Sequence, residues 1–504
     1  MATQQRRNKT ELAARLSSFL PLALFLVAAF LVPHTAAGES YRWACPWIPM
    51  LQVNLSFVLD GLSVLFALIV TGVGFFVTLY AVDYLHGQGH TGRFFLFLHL
   101  FMLSMLGLVT ADNLLALFVF WELTTLFSYL LIGFEHEDAE SRKSARQALL
   151  VTGAGGLALL VGFLLLEMAA GTYEISQMVP MTASLQNHQY YPAILVMVFL
   201  GAFTKSAQFP FHFWLPKAMA APTPVSAFLH SATMVKGGIY LLARLHPVLS
   251  GSPAWTATLV LVGAATAVLG AFTALGQSDL KKILAYTTVS ALGIMTMFLG
   301  GQLAPSLMAA MTFLLVHAIY KSALFLIAGI IDHQTGTRQL EQLSGLARSM
   351  PLTALGAFAA CLSMAGFPLF FGFIGKEIMY KGALAETMMP SLTVAAAVLA
   401  NGLMTAVAGI FLIGPFLSGP VRHREPSSGA CASMCGGPLL LGSLGILFGI
   451  IPNFVGQYLA SPAVQAIHAH MEQVKLQLFH GVNAPLLLSA LTLALGTGLY
   501  LHRK

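Results

Sequence analysis

Charge is scarce in this chain: Lys, Arg, Asp and Glu make up only 9% of 504 residues, while 57% are hydrophobic. Ordinary soluble domains carry roughly 25% charged residues, so the scarcity excludes a water-facing surface able to cover this much apolar side chain. Cysteine is scarcer still. Cys45, Cys361, Cys431 and Cys435 are too few and too scattered for a disulfide framework, and the Cys431 and Cys435 spacing does not match a common zinc pair. No glycine loop followed by Lys and Ser or Thr cradles a phosphate, and no pair of facing histidines has haem-like spacing. No cofactor and no metal are therefore expected, and any work must draw on an ion gradient or on partner subunits. The net charge of +6 does not point to nucleic acid, because the surplus sits in short loops rather than on one ordered basic face.

What the chain has in abundance is apolar length. Runs of about twenty residues recur from Leu16 to Leu501, each able to cross a hydrocarbon core of about 30 Å. Lipid offers no partner to an exposed backbone, and the runs lack the alternation of barrel strands, so they read as helices. The expected fold is an all-α polytopic membrane protein of about fourteen helices, over 17–37, 60–82, 93–110, 113–134, 147–169, 192–213, 226–246, 256–276, 282–300, 306–331, 352–372, 393–416, 437–457 and 483–501. The longest stretches outside them are 170–191, 332–351 and 458–482. Three regions follow: a basic N-terminal segment with the first helix and loop over 1–59, a core over 60–416, and C-terminal transmembrane helices over 417–504.

Basic residues test that count, since one helix too many or too few would transfer every later loop to the other side. Seventeen of the 25 Lys and Arg fall on the side of the N-terminus, among them Arg6, Arg7, Lys9, Lys281, Arg422, Arg424 and Lys504. Only Arg42, Arg244, Lys381 and Lys475 fall on the other side. The bias places both termini in the cytoplasm. The first apolar run is as long as a span and reads as a retained helix rather than a cleaved signal.

The remaining four lysines, Lys205, Lys236, Lys321 and Lys376, lie within or beside the apolar runs, as does Glu122. A charge near the bilayer centre costs at least about 2.5–3.5 kcal/mol. Five such groups together cost roughly 10 kcal/mol or more, comparable with the whole stability of a typical domain at about 5–15 kcal/mol. Packing alone does not account for them. Lys205 precedes Pro210 by five residues, and Lys376 follows Pro368 among glycines; prolines free backbone carbonyls, and broken helices near the midplane mark transporter ion sites. Lysine changes its protonation readily when buried, as a proton carrier must. His230 lies six residues before Lys236, and His317 lies four before Lys321 on one helix face. With the surrounding Ser, Thr and Tyr, they suit a hydrated proton relay. Asp60, Asp112 and Asp279 read as helix caps, and either Glu167 or Glu377 could serve as an entry or exit group, between which the sequence does not decide.

At these residues the sequence resembles the antiporter-like subunit family shared by multisubunit Na+/H+ antiporters of the Mrp type (Sha, Mnh) and respiratory complex I. The resemblance runs from about Pro46 to the C-terminus. It rests on FWELTTLFSYLLIGF, FTKSAQFPFHFWLPKAMAAPTPVSAFLHSATMVKGGIYLLARL, DLKKILAYTTVSALG and HAIYKSALFLIAGIIDHQTGTR. The N-terminal PWIPMLQVNLSFVLDGLSVLFALIVTG, the lysine of HSATMVKGG and the GIIDHQTGTR stretch are most similar to the Mrp A subunit.

The resemblance implies two inverted five-helix repeats, each with a broken helix, in helices 3 to 7 and 8 to 12, with Lys205 and Lys376 at matching positions. It implies that Glu122 tunes the charge of Lys205, that Lys236, His230, His317 and Lys321 form a central polar axis, and that Lys376 lies at the exit. Three departures stand out. The segment from Leu16 resembles the family's second helix, so that the first is expected to be missing; Phe313 replaces a histidine common one turn before His317; and the chain ends short of the further helices of the Mrp A subunit.

The expected function is that of one subunit in a multisubunit Na+ or K+/proton antiporter in the bacterial cytoplasmic membrane, with other membrane subunits as partners and no nucleic acid. That makes it part of a transporter rather than an enzyme. The alternatives are a non-catalytic proton-pumping subunit of complex I or a related hydrogenase, and a proton-coupled module for bicarbonate or CO2 uptake with a soluble zinc partner. A long amphipathic helix after the last span, usual in the end subunit of complex I, is lacking.

Overall fold

Most long apolar runs begin where a short polar side chain can take up free amides. Asp60 accepts from Ser63 N (2.9 Å), Asn113 from Leu115 N and Ala116 N, Asp138 from Glu140 N and Ser141 N, Ser252 from Trp255 N, and Asp279 from Lys281 N and Lys282 N. Each cap satisfies donors that the first turn leaves without a partner. In the computed structural model the described residues are 15–51, 53–87, 90–420, 432–468, 475–479 and 481–503. Arg6, Arg7, Lys9, Arg422, Arg424, Lys504 and Cys431 lie outside them.

In chain order, α1 (Phe19–Ala36) is followed by a hairpin of β1 (Tyr41–Ile48) and β2 (Val53–Leu59). Next come α2 (Gly61–Tyr84), α3 (Thr91–Thr110), α4 (Leu114–Ile132), α5 (Ala139–Ala170) and α6 (Tyr191–Lys205). The middle of the chain forms α7 (Thr223–Ser231), α8 (Gly237–Leu249), α9 (Pro253–Leu275), α10 (Leu280–Leu299) and α11 (Ala304–Thr335). The last third forms α12 (Pro351–Ala365), α13 (Phe371–Ala385), α14 (Pro390–Leu412), α15 (Ala432–Ile450), α16 (Ser461–Ile467) and α17 (Ala484–Leu501).

Ten of these helices are long and apolar enough to cross a membrane, or eleven if a pair bent by 95° after Ile450 is counted as one span. The mostly helical membrane fold is as expected, with five differences among the helices. The expected helix over 192–213 stops at Lys205; that over 226–246 is two helices split at 232–236; that over 352–372 stops at Ala365; a further helix, Phe371–Ala385, fills the gap before 393; and that over 437–457 ends at Ile450, where the chain bends. The hairpin is an addition. Its seven paired positions run antiparallel from Tyr41↔Leu59 to Ile48↔Val53, and its strands are too short and too polar in context to resemble a span.

α11 is the spine. Its hydrophobic stretch is wholly buried, and it packs against α7, α10, α12, α13 and α15. α9 and α10 lie backbone to backbone: a side chain at Gly263 or Gly293 would run into the opposite helix's main chain, the close approach that small residues permit between membrane helices.

Asp60 does more than cap. Arg244, expected at the outer side, is buried on α8 and grips the Asp60 carboxylate with both nitrogens, at 2.5 and 3.0 Å, while also bonding Ser63 and Tyr240. Burial pushes the Asp60 carboxyl up, but the Arg244 guanidinium outweighs this and holds it below its ordinary range. The pair's stabilisation is therefore present above the ordinary carboxyl range and is lost only as pH falls through the lowered one. Arg244→Met leaves that carboxylate buried without its cation, so a loss of about 3–5 kcal/mol is expected. Adding Asp60→Asn should recover much of it, which thermal unfolding in detergent would measure.

Candidate functional site

A helix that ends inside a membrane exposes carbonyls that nothing in lipid can satisfy. The chain breaks its helices in this way around residues 206–222 and 366–370. Both breaks follow from proline and strained backbone: Ala207 and Leu369 have positive φ, and Pro210 and Pro368 lie within them.

Lysines meet these carbonyls. Lys205, the last residue of α6, is wholly buried; its Nζ donates to Trp121 O (3.0 Å) and Thr125 Oγ1 (2.7 Å) on α4 and lies 4.8 Å from the centre of the Trp121 ring. Lys376, on α13, donates to Ala365 O at the broken end of α12 and to Thr405 Oγ1 (3.1 Å) on α14. The matching positions therefore differ in detail, since Lys205 closes the helix before its break while Lys376 sits in the helix after one. Between them, Lys236 donates to Leu314 O (3.1 Å) and Lys321 to Thr287 Oγ1 (2.5 Å).

None of these four lysines has a carboxylate in contact among the described residues. Glu122 is on the same turn of α4 as the Lys205 acceptors yet makes no ion pair with it. Its Oε1 is buried without a hydrogen-bond partner, pressed on the bare face of Gly156 in α5. His230 and His317 are wholly buried, and all four ring nitrogens lack partners among the described residues. A buried polar atom left unpaired costs about 1–3 kcal/mol, and internal water commonly satisfies such groups. The histidines and Glu122 are where a hydrated path would run.

The structure brings His317 and Lys321 together on α11, with Lys236 joining them through Leu314. It does not place His230 beside Lys236, because the chain breaks between them. His230 lies instead between the rings of Trp214 and Phe325, at 6.3 and 6.5 Å between centres. That is about 16 Å further along α11 by helical rise.

Beyond Lys376, Glu377 accepts from Ser489 Oγ (2.5 Å) on α17 and lines a cavity of about 400 Å³ with Lys381, Lys475 and Asn483. Glu167 is in the last turn of α5, away from these groups. Asp112 does not cap α4. Asn113 does so, and Asp112 accepts from the amide and hydroxyl of Ser176 instead.

A fifth buried lysine is hidden from a reading of the sequence. Lys281, counted with the loops, is 1% exposed, and its Nζ donates to Ala221 O (2.7 Å) in the first break. Asp279 caps the same turn, so its neighbour reads as a surface residue; only the 206–222 segment folding over it reveals the burial. Among the described residues no cluster of His, Cys, Asp and Glu has the makings of a metal site.

Known proteins resemble this chain in sequence and fold. The transmembrane family described as NADH:quinone oxidoreductase/Mrp antiporter matches residues 111–404, and that described as complex I chain 5 N-terminus matches 47–95. A probable K+/H+ antiporter A/B subunit of Rhizobium meliloti (strain 1021) is 41% identical over 490 residues, covering 95% of this chain and 49% of its own length. The A subunit of the Na+/H+ antiporter of Alkalihalophilus pseudofirmus is 39% identical, covering 96% of this chain and 64% of its own. The chain thus spans half to two thirds of these relatives. A chain in the solved Mrp complex from Dietzia sp. DQ12-45-1b superposes with a TM-score of 0.88 at 37% identity, over 99% of this chain and 55% of that one.

Proposed function

Because the chain belongs to the NADH:quinone oxidoreductase/Mrp antiporter family, we propose that it is a proton-conducting subunit of a multisubunit Na+ or K+/proton antiporter of a bacterial cytoplasmic membrane. The names of the relatives from Rhizobium meliloti and Alkalihalophilus pseudofirmus, and the Mrp complex, support that assembly. Other membrane subunits complete it, and the face rich in Lys and Arg is cytoplasmic.

The observation that carries the reading is the four wholly or almost wholly buried lysines, each on a carbonyl or a threonine and none against a carboxylate. A static ion pair would fix its proton, whereas an ammonium held only by neutral acceptors can release one and take up another. In this reading protons pass between the Lys205 arm and the Lys376 arm by way of Lys236, His317 and Lys321. His230 joins the axis from its cytoplasmic side, Glu122 acts on Lys205 through space, and Lys376 passes protons towards Glu377 and its cavity.

Inverted membrane vesicles holding the chain with its partner subunits test this. Addition of Na+ or K+ should collapse a pre-formed pH gradient. A gradient indifferent to both cations would overturn the antiport reading. The complex I reading, favoured by the family description over 47–95, would then be judged by whether iron–sulfur subunits copurify.

A further inference from the structure

At the Lys- and Arg-rich end of the bundle a cavity of about 1070 Å³ is lined in part by the first helix break. Charges of both signs surround it. The connection from α4 to α5 contributes Glu135 and Asp138, and the first turns of α5 add Glu140 and Lys143. Facing elements are basic: Lys217 comes from the break, and Lys282 comes from the first turn of α10. Some of this charge is engaged within the protein. Asp138 accepts from two amides of α5, and Arg338 pairs with Asp279 (3.2 Å). Glu135, Glu140, Lys143, Lys217 and Lys282 have no ion pair among the described residues. A soluble anion here would meet the carboxylates, and a soluble cation would meet the ammoniums. The complementary ligand carries both signs itself.

The cavity continues past its charges. Gln277, at the turn from α9 to α10, lines it and also lines a groove of about 500 Å³ between α9 and the end of α17. Phe272, Leu275 and Leu499 make that groove apolar, and Arg503 stands at its α17 end. Both helices are long and apolar enough to be spans, and Phe272 is 68% exposed, so the groove opens to the acyl chains of the bilayer. A charged chamber and an apolar slot thus share one residue, which is the plan of an amphiphile.

We propose that cavity and groove together bind one phospholipid with a zwitterionic headgroup, of the phosphatidylethanolamine type. Its phosphate meets Lys217 and Lys282, its ammonium meets Glu135 and Glu140, and an acyl chain passes Gln277 to lie along Phe272 and Leu499. The order follows the covalent plan of the lipid, in which phosphate lies between the glycerol that carries the chains and the amine at the tip. Lys282 is on the helix that begins just after Gln277, whereas the carboxylates stand on the α4–α5 side. Lysine offers three donors to phosphate oxygens, and basic pockets between membrane helices at the cytoplasmic face hold lipid headgroups. A headgroup without an amine leaves Glu135 and Glu140 unanswered, and free phosphate leaves the groove unused.

Native mass spectrometry tests the site on the full chain with its partner subunits, stripped of lipid in detergent and reloaded from vesicles of equal phosphatidylethanolamine and phosphatidylglycerol. Wild type should keep one phosphatidylethanolamine more than the double variant Lys217→Gln with Lys282→Gln. Affinity in that variant should fall at least about tenfold, the equivalent of one charge-assisted hydrogen bond. Glu135→Gln with Glu140→Gln should keep a lipid but lose the preference for phosphatidylethanolamine. Gly276→Leu fills the groove from a position that lines it, where a side chain meets nothing nearer than Thr273 O at 3.8 Å, and should lose the lipid with every charge in place. Wild-type retention in the lysine pair or in Gly276→Leu would overturn the site. An undiminished preference in the glutamate pair would overturn the zwitterionic assignment, and retention of added inorganic phosphate in place of lipid would make this a soluble-anion site instead.

Discussion

Lys205→Ala should reduce cation-driven proton movement at least about 100-fold, the lower end of what a positioned proton-transfer group contributes, while the chain still enters the membrane and joins its partners. The expectation follows from what Lys205 touches. Its ammonium bonds a backbone carbonyl and a threonine hydroxyl on α4, both neutral, and α4 and α6 are held elsewhere by packing through α5. Removing the side chain takes a costly charge out of the bilayer, so stability has little to lose. Transport has much to lose, because no other ionisable group bonds this turn of α4. Antiport assays on vesicles matched for protein content give the answer; Lys205→Arg, which keeps a charge that cannot be shed, should fail as Lys205→Ala does.

Glu122→Gln is the second large effect, and it should separate stability from transport. Glu122 Oε1 is buried with no hydrogen-bond partner among the described residues, so as a structural element the carboxylate is a liability. Glutamine has the same shape without a desolvated charge, and the variant is expected to unfold at the same temperature or a higher one. Cation-driven proton movement should nevertheless fall about 100-fold, because the negative charge on the turn that receives Lys205 is gone. Loss of both thermal stability and transport would show instead that Glu122 is a structural group.

The transmembrane helices were legible because lipid imposes a length and a composition that the sequence must display. The breaks were legible only in part. Pro210 and Pro368 mark both, yet the helix after Pro368 was missed because Lys376, Glu377, Tyr380 and Lys381 make 371–385 look like a loop, and only packing against α11 and α17 hides the first three. Arg244 and Lys281 were misread for a related reason. Each lies near the end of an apolar run, where charge is ordinarily solvated, and only Asp60 for one and Ala221 for the other reveal its partner in space.

That Glu122, Lys205, Lys236, His230, His317 and Lys321 point into the bundle was legible because a charge or an imidazole inside an apolar run has no cheap explanation. Their order was not. Sequence spacing joins His230 to Lys236, but the break at 232–236 turns His230 towards Phe325. Its place along α11 depends on which helix faces which, a long-range fact that spacing does not carry.

One map of the assembled complex at a resolution that shows ordered water would test the account most directly. It predicts water bonded to His230, His317 and Glu122 Oε1, linking Lys205, Lys236 and Lys321 into one file. Dry apolar packing around those three groups, with the lysines sealed from one another, would contradict it.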